Sequence, residues 1–543
     1  MSDGRRVSRR AVLAGAAGAA GVGLASALGS DGADGTVIGG IMALTEAYNV
    51  SGDLWIGPDS AKGNVAAESG RVYMAADTQV EYYGDGGGWV KMGVGSQSEP
   101  VPAVNAEALP NADHVVQPTG GSGDGVNNPP ASDPWTMDES FLDGFQGTAL
   151  LESGRWITSG METDSTIDWD SGPVYIAGTG TWGSVVEHED GTAPTVRLTS
   201  SGGNGGGIRD LTVYGAGKGV GTAHVVESDG SNIDNVFCDS IIRYGGGDGL
   251  HLPQSSSGAR IQNMWIESCT GNGIFVGGGD RLKLSDLHVV GNDGDQLNIS
   301  MGRSHVDGVT LDGGNNGVLF EGGARNQFSN IVCGNVSGYG FVVNGGDGRN
   351  VIDGLMGFGC DTSLWVRSAG NNAVSNVGAF DTRIRGLRVS TKANALSNII
   401  VDGFSSGSTD VEAVLLESDN NVLANIYIGP GTRSGVKPMT ISGNNNVIQT
   451  LILHPDITGA LEVSGAENQI WGTKGLDYGQ IADNGTRTMI NGWSVNSGDP
   501  STTGQWNGNA ALAGRVGITV WDTSTSPWTP YEAAPDGSSW IAT

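Results

Sequence analysis

A short sequence element recurs between residues 208 and 453 and constrains the fold more than any other feature of this 543-residue chain. It has the pattern apolar-x-(Asn/Asp/Gly/Thr)-apolar-x-apolar, and its eleven copies start 22 to 28 residues apart. The copies begin at Ile208, Ile233, Ile261, Leu284, Val306, Phe328, Ile352, Val374, Leu396, Leu423 and Ile448. A unit of about 24 residues without helical periodicity cannot bury its own apolar face, so it must stack on its neighbours.

Each repeat carries a second apolar element that follows a glycine, which makes three short strands per repeat. Examples are Gly249-Leu-His-Leu, Gly273-Ile-Phe-Val, Gly317-Val-Leu-Phe and Gly340-Phe-Val-Val. Glycine accounts for 93 of the 543 residues, but no strict Gly-X-Y period is present, which excludes collagen. The sequence therefore predicts an all-β solenoid of about eleven or more three-strand coils.

With these repeats, residues 148–475 resemble a right-handed parallel β-helix of the pectate lyase superfamily, and we assign residues 137–475 to that domain. The resemblance implies a stacked ladder of Asn side chains at the tight turn between the second and third strands, where Asn tolerates left-handed backbone geometry. Gly308 and Gly354 fit the same turn without a side chain. The predicted ladder column is Asp210, Asn235, Asn263, Asp286, Asn330, Asn376, Asn398 and Asn425.

Both ends of the predicted helix carry a similar small β module, at residues 53–94 and 476–543. Gly70-Arg-Val and Gly514-Arg-Val are each followed by an Asp-Thr pair, a Tyr, an Asp-Gly pair and a Trp. These modules resemble the terminal modules of phage tail-fibre and tail-spike proteins. Residues 95–136 between the first module and the helix are rich in proline, which predicts an extended linker.

Residues 1–27 have the pattern of an export signal. Four arginines precede an Ala/Gly/Val/Leu stretch, and Ala25-Ser-Ala predicts cleavage after Ala27. Ser8-Arg-Arg-Ala-Val-Leu resembles the twin-arginine motif, which is typical of proteins exported in a folded state. We therefore expect residues 28–52 to be a linker and the mature protein to lie outside the cell or at its surface. A retained membrane anchor is the alternative.

The net charge of −30 indicates a halophilic protein without affinity for nucleic acid. The chain has 58 acidic residues and 28 cationic ones, and only seven of the cations are lysine. Phosphate-mediated binding needs a basic surface, which this composition excludes. Concentrated salt screens the self-repulsion of such an acidic chain.

Candidate catalytic residues are acids and a histidine on the outer face of the helix. Aligning the predicted third strands places Asp239 beside Glu267, about 5 Å apart. Such a pair can act as acid and nucleophile on a glycoside or hold Ca²⁺ against an acidic sugar, although two solvated acids would look the same. His251 points outward nearby and is a candidate acid or base. Asp248 falls in a column with Asn272, Asp295 and Asn316, which favours a turn residue.

Four further residues are candidate glycan contacts. Arg281-Leu-Lys283 resembles the Arg-x-Lys element of polygalacturonase-type hydrolases, but the other motifs of that family and the lyase Arg-x-x-Pro-x-x-Arg motif are absent. Arg281 and Lys283 therefore stay as partners for carboxylate or sulfate groups. Phe275 and Trp365 are predicted to be outward aromatics.

Three function classes fit these observations. The first is a glycan-recognising rod that resembles a tail spike or adhesin, with or without depolymerase activity. The second is a secreted polysaccharide lyase or glycoside hydrolase, and the third is a structural surface or fibre component. No cofactor is required by any of the three, and Ca²⁺ stays open for the second.

The outer face of the third strand predicts lateral association. Seven of its eleven residues are apolar or aromatic, which favours a homotrimer or a cover formed by the chain itself. The column is Thr212, Phe237, Trp265, His288, Thr310, Val332, Met356, Gly378, Ile400, Tyr427 and Ile452.

Overall fold

The protein is described here by a computed structural model. It describes residues 147–163 and 174–475, apart from gaps at 182, 200–203, 230–232, 256, 369, 405–411 and 432–435, together with separate strands and short segments elsewhere between 36 and 543. Two compact units are present, Met1–Val101 and Pro102–Thr543. The predicted signal at residues 1–27 lies outside the described residues.

The first strands of successive coils form one fourteen-stranded parallel sheet, here called the first-strand sheet. Its strands are Met161–Thr163, Val196–Thr199, Val226–Asp229, Leu250–Ser255, Ile274–Gly278, Leu297–Ser300, Val318–Gly322, Tyr339–Val343, Thr362–Val366, Arg385–Val389, Glu412–Leu416, Lys437–Ile441, Leu461–Val463 and Ile481–Asp483. Side chains alternate between the buried core and the outer face, as in Leu297–Ser300.

The second and third strands of each coil stack in the same parallel manner. In the first three coils they are separate: Gly147–Leu151 and Gly154–Thr158, Val174–Ala177 and Ser184–His188, and Asn204–Arg209 and Thr212–Tyr214. In later coils they run together as Ile233–Arg243, Arg260–Glu267, Lys283–Val290, His305–Asp312, Gln327–Gly334, Val351–Phe358, Ala373–Phe380, Ala395–Asp402, Val422–Ile428 and Val447–Leu453. The short strands Gln469–Trp471 and Met489–Ile490 continue the stack of second strands. The predicted all-β parallel β-helix is confirmed.

The solenoid encloses one continuous hydrophobic core. Phe328 is fully buried between two other buried rings, Phe320 and Phe341, with centroid separations of 5.3 and 5.1 Å. Both pairs are edge-to-face, the arrangement that aromatic quadrupoles favour.

A residue with positive φ marks the corner between the second and third strands, here called the 2–3 corner. Asn and Gly dominate this column because they adopt left-handed backbone at low cost. Its members are Asp210, Asp239, Asn263, Asp286, Gly308, Asn330, Gly354, Asn376, Asn398, Asn425, Thr450 and Gly472. Only two amide-to-amide hydrogen bonds link described neighbours, from Asn398 to Asn376 and from Asn425 to Asn398, at 3.0 and 3.1 Å. The ladder predicted here is therefore short.

The predicted register is wrong in one coil. Phe237 pairs with Ile261, so Asp239 occupies the 2–3 corner and Asn235 does not. Phe237 is fully buried and does not belong to the outward face of the third strand, where Ile241 pairs with Trp265. The error arises because Ile233-Asp-Asn-Val fits the repeat, whereas Phe237-Cys-Asp-Ser, the segment in register, has a buried Ser240 at an apolar position of the pattern. The extra four residues extend the strand at its start.

A longer asparagine ladder, absent from our predictions, lies where the first strand leads into the second, here called the 1–2 corner. From Asn350 on, each side-chain oxygen accepts hydrogen bonds from the backbone N–H and the side-chain amide of the Asn one coil earlier, at 2.9 to 3.2 Å. Its members are at most 2% exposed: Asn326, Asn350, Asn372, Asn394, Asn421, Asn446 and Asn468. Because every buried amide donor and acceptor needs a partner, this ladder fixes the stacking of seven coils.

The two end sheets repeat one strand order. In each sheet the first and second strands pair antiparallel, and the second and third strands pair parallel. The third and fourth strands, and the fourth and fifth, pair antiparallel. The strands are Tyr48–Ser51, Leu54–Gly57, Val72–Ala75, Val80–Gly84 and Trp89–Met92 in one unit. In the other they are Met489–Ile490, Trp493–Asn496, Thr519–Asp522, Thr529–Ala533 and Trp540–Ala542.

Both predicted linkers contain strands. Thr36–Ile38 and Ile41–Ala43 form a hairpin, and a short 3-10 helix, Asp59–Asn64, follows in the same unit. His114–Val116 and Trp135–Thr136 pair with the first coil of the solenoid. Proline content alone did not reveal these short additions to the sheet. None of the described residues forms a helix with the length and hydropathy needed to span a lipid bilayer.

Candidate functional site

The predicted pairing of Asp239 with Glu267 is wrong. Asp239 at the 2–3 corner accepts a hydrogen bond of 2.6 Å from the side-chain amide of Asn263. Glu267 lies four residues beyond that corner, opposite Arg243, with which it forms an ion pair of 2.8 Å. It also accepts a hydrogen bond of 2.5 Å from the indole of Trp265. The two acids therefore do not form the close carboxylate pair that glycoside hydrolysis or a shared Ca²⁺ would need.

His251 belongs to the first-strand sheet and not to the strand that carries Glu267. Its Nδ1 lies 2.6 Å from Oδ2 of Asp248, a carboxylate that is only 6% exposed. Oδ1 of Asp248 accepts hydrogen bonds of 2.6 and 3.0 Å from the backbone and side-chain amides of Asn272. Asp248 is thus held rigidly beside the imidazole.

The prediction that Asp248 is a turn residue is confirmed. A short polar column lies in the turn that leads from the third strand into the next first strand. Each side chain of the column but the last accepts a hydrogen bond from the backbone N–H of the next member, one coil later. Its members are Asp248, Asn272, Asp295 and Asn316. Burial alone would raise the pKa of Asp248, but the hydrogen bonds from His251 and Asn272 lower it below its ordinary value.

Three rings stack beside this carboxylate. The ring of His224 lies 3.7 Å from that of His251, and the ring of Phe275 lies 4.8 Å from His251 on the neighbouring strand, both nearly parallel. His224 Nδ1 accepts a hydrogen bond of 3.0 Å from the backbone N–H of Asp248. Burial and the neighbouring His251 lower the pKa of His224. Sequence reasoning missed His224 because it lies in a long turn outside the repeat.

His224, Asp248 and His251 are also the described group that offers metal ligands. Their nitrogen and oxygen atoms lie within 4.8 Å of one another. Two imidazoles and one carboxylate suit zinc or a similar transition metal, whereas Ca²⁺ prefers six to eight oxygens. Because Oδ2 of Asp248 lies 2.6 Å from Nδ1 of His251, the carboxylate serves as the hydrogen-bond partner of that imidazole.

A second cluster surrounds Trp365, further along the same outer face. The guanidinium groups of Arg388 and Arg367 lie 4.4 and 4.9 Å from the centre of its ring. Tyr339 lies 4.9 Å away, and the indole N–H donates a hydrogen bond of 2.9 Å to Ser390. The cluster therefore combines a half-buried aromatic pair with two cations.

Glu417 holds one of the two arginines in place. It forms two hydrogen bonds with Arg388, of 3.0 and 3.1 Å, and accepts one of 2.5 Å from Ser390. Burial raises the pKa of Glu417, but these bonds lower it below its ordinary value on balance. Arg367 is exposed, and no ion pair with it is found in the described part of the chain.

Phe275 and Trp365 occupy one outward column of the first-strand sheet, as shown by the strand registers. Between them lie Asn298, Leu319 and Val342. Four strand spacings of about 4.8 Å separate the two aromatics by about 19 Å. Both side chains are half-buried, and the repeat predicted their outward direction. The strand register also places Arg388 next to Trp365, and this neighbour was not among the predicted glycan contacts.

Arg281 and Lys283 lie at the 1–2 corner and are exposed. Arg281 has a φ of 58°, and Lys283 opens the second strand, between Arg260 and His305 of the adjacent coils. They are part of a larger basic group that the resemblance to Arg-x-Lys did not reveal.

No protein-family model matches the chain, and a comparison with curated proteins finds no match. Solved structures with a similar course of the backbone include a mannuronan C-5 epimerase module of Azotobacter vinelandii, at 14% identity and a TM-score of 0.31 over 64% of this chain and 89% of that one. Tailspike protein 3 of bacteriophage CBA120 has 12% identity and a TM-score of 0.38 over 74% and 64%. A mannuronic acid specific family 6 lyase from human gut microbiota has 12% identity and a TM-score of 0.37 over 66% and 91%.

Proposed function

We propose that the protein recognises a glycan outside the cell through the outer face of its β-helix, in the manner of a tail spike or cell-surface adhesin. The observation that carries this proposal is the cluster around Trp365, where an indole and a phenol lie beside two guanidinium groups. Aromatic rings pack against the apolar C–H face of a sugar, and a few fixed polar groups orient it.

The two arginines have different roles in this proposal. Arg388 is fixed by Glu417 and supports the indole, so it is a positioning residue. Arg367 extends into solvent over the same ring and offers donors to a sugar hydroxyl or carboxylate. Because both sit on or directly after a strand of the continuous sheet, little ordering is needed when a glycan binds.

A polysaccharide lyase or glycoside hydrolase is the second candidate function, favoured by the Asp248–His251 pair. A buried carboxylate that holds Nδ1 leaves Nε2 of His251 as the atom that exchanges a proton with a substrate. Phe275 stacks on the ring and restricts its orientation. A bound metal is not needed for this chemistry, and Ca²⁺ stays a separate proposal for holding an acidic sugar.

Two variants separate recognition from turnover. With polygalacturonate, alginate and dextran as probes, Trp365→Ala is expected to weaken glycan binding by about 10- to 100-fold, as loss of a buried anchor does. His251→Gln is expected to leave binding unchanged and to abolish any release of unsaturated or reducing ends. Binding is measured by calorimetry, and EGTA in a parallel titration tests Ca²⁺.

Trp471→Ala is the matched control, because Trp471 is a tryptophan that is 38% exposed near the end of the solenoid. If Trp365→Ala and Trp471→Ala bind alike, the cluster is not the recognition site. If the wild-type protein binds none of the probes, the third class, a structural surface or fibre component, replaces the proposal. Unchanged turnover in His251→Gln would rule out its catalytic role.

We further propose that the protein is exported by the twin-arginine route and works in concentrated salt. The arginine pair within residues 1–27 and the net charge of −30 support this. Cell fractionation tests the first part: a double variant that combines Arg9→Lys with Arg10→Lys should stay in the cytoplasm. Normal export of that variant would contradict the route.

We expect the rod to form a homotrimer through the outer face of its third strands. Trp265, Met356 and Ile400 are 41, 40 and 45% exposed in this face, which is large for apolar side chains in one column. Burying a face of this kind along three parallel rods would remove it from water. Sedimentation equilibrium in molar salt checks this, and a single species near the chain mass of 55.5 kDa, less that of the signal at residues 1–27, would contradict it.

A further inference from the structure

Four arginines occupy the same position of the 1–2 corner in successive coils. They are Arg281, Arg303, Arg325 and Arg349, and all four are exposed. We infer that this arginine row is a binding track for a linear polyanion, specifically an acidic polysaccharide with one carboxylate or sulfate group on each sugar. The inference rests on the proposed glycan recognition and names the class of substrate.

The backbone places the arginines in register. The N–H of Arg281 donates to the carbonyl of Gly302, and the N–H of Arg303 donates to that of Ala324, both at 2.9 Å. Gly302 and Ala324 directly precede the next arginine of the row. Successive Cα positions are therefore one strand spacing apart, about 4.8 Å. One sugar of an extended acidic polysaccharide has a comparable length, so each ring can meet one guanidinium group.

The backbone conformation at these four positions does not favour arginine. The four residues have φ values of 58, 50, 62 and 60°, a region that costs a non-glycine residue free energy and that Asn tolerates best. The same column continues with Asn371, Ala393, Asn420, Asn445 and Glu467 in later coils, so Asn is its commonest residue beyond the arginines. Four consecutive arginines at a position suited to Asn indicate selection for the side chain, because local strain is concentrated at functional sites.

The corner beneath the row is rigid. Each arginine from Arg303 on is followed by a buried polar residue that hydrogen-bonds to the next coil, as Ser304 does to Asn326 and Asn326 to Asn350. The guanidinium groups therefore extend from fixed positions, which reduces the ordering that binding requires.

Arg303, Arg325 and Arg349 of the row also line an open groove of about 530 Å³, together with Asp347 and Asn371. Arg281 and Arg303 are both paired with Asp280. No carboxylate in the described part of the chain forms an ion pair with Arg325 or Arg349, so these two are available to a ligand. Lys283 and Arg260 lie in the adjacent column and extend the positive patch. Such a patch on a chain of net charge −30 attracts an anion only locally.

Nucleic acid fits the row less well than a polysaccharide. The phosphates of a duplex strand wind around the helix axis as they advance by about 3.4 Å per nucleotide, so they do not follow a straight row of guanidinium groups. Single strands are held by aromatic side chains on which bases stack, and none lines the described groove. Nucleic acid is therefore kept as an outcome of the test.

The test uses the full chain with Arg303, Arg325 and Arg349 all changed to Asn, the residue that the column itself uses at Asn371. Polygalacturonate is titrated at several salt concentrations at which circular dichroism shows the protein folded. The triple variant should bind at least about 10-fold more weakly, and its slope of log K against log salt should be smaller by about 2, since each single-strand phosphate-type contact contributes about 0.7. Its melting temperature should stay equal or rise.

Lys474→Asn is the matched control, because it removes an exposed cation at the far end of the solenoid. Equal affinity of the triple variant and the control would overturn the inference, as would tighter binding of poly-dT than of polygalacturonate. If the wild-type protein binds dextran in a Trp365-dependent manner but not polygalacturonate, the row is wrong and glycan recognition stands. If it binds neither, both fail.

Discussion

Replacing Asn372 with alanine is expected to lower the free energy of unfolding by about 2–4 kcal/mol, because two buried donors lose their acceptor. Oδ1 of Asn372 accepts the backbone N–H and the side-chain amide of Asn350, at 3.2 and 3.1 Å. Alanine leaves both donors inside the solenoid, where Asn350 is only 1% exposed and water cannot replace the lost oxygen. Urea unfolding followed by circular dichroism measures the change.

Asn398→Gly is the control for this prediction. Asn398 belongs to the other asparagine column, at the 2–3 corner, where it is exposed and has a φ of 54°. Glycine keeps that backbone conformation, and water replaces the lost amide, so the expected change is within about 0.5 kcal/mol, as at most surface positions. Equal losses in the two variants would mean that the buried ladder has no special role in stability.

Lowering the salt concentration is expected to destabilise the protein strongly. The Debye length grows from about 3 Å at 1 M to about 10 Å at 0.1 M, so acids one coil apart begin to repel each other. Two charges about 5 Å apart in water repel by about 0.8 kcal/mol before screening. Asp210 and Asp239 are such neighbours at the 2–3 corner, and burial together with the charge of Asp239 raises the pKa of Asp210. The melting temperature should therefore fall by many degrees between these concentrations.

Asp239→Asn tests whether stacked acids cause the effect. The variant removes one repulsion and places an amide in a column that already uses Asn, so it should melt at a higher temperature than the wild type, mainly at low salt. A melting temperature that is the same at both salt concentrations would contradict the expectation that the chain is adapted to salt. If the melting temperature of the variant depends on salt as strongly as that of the wild type, the repulsion comes from other acidic residues.

The sequence predicted the fold because the repeat recurs in eleven successive coils. The apolar residues of Val306-Asp-Gly-Val and Phe328-Ser-Asn-Ile are buried in adjacent coils, as their spacing requires. The buried ladder had a signal as well, since Asn326, Asn350 and Asn372 each precede the apolar start of the element by two residues. The prediction placed the ladder at the tighter turn, where left-handed geometry makes Asn common for a different reason.

The candidate site was less predictable, since it depends on registers and turns. The outward direction of Phe275 and Trp365 follows from strand alternation. The contact of Asp248 with His251 depends on the orientation of a turn side chain relative to the strand that follows it, which the repeat does not specify. The pairing of Asp239 with Glu267 failed because one coil has four extra residues. An error of this size moves a side chain along the strand by more than about 10 Å, at about 3.3 Å for each residue.

The reversal of chain direction after Met489–Ile490 has a consequence for growth. A stack of parallel coils ends in a row of unpaired amide and carbonyl groups, which is a template onto which another molecule can add. Here Trp493–Asn496 turns back and runs antiparallel to the last strand of the stack. A second copy of the chain therefore cannot add its strand at that position as a further parallel coil. At the opposite end His114–Val116 and Trp135–Thr136 cover the first coil. The reversal thus acts as a stop at the last coil, which keeps this periodic sheet from being extended there by another molecule.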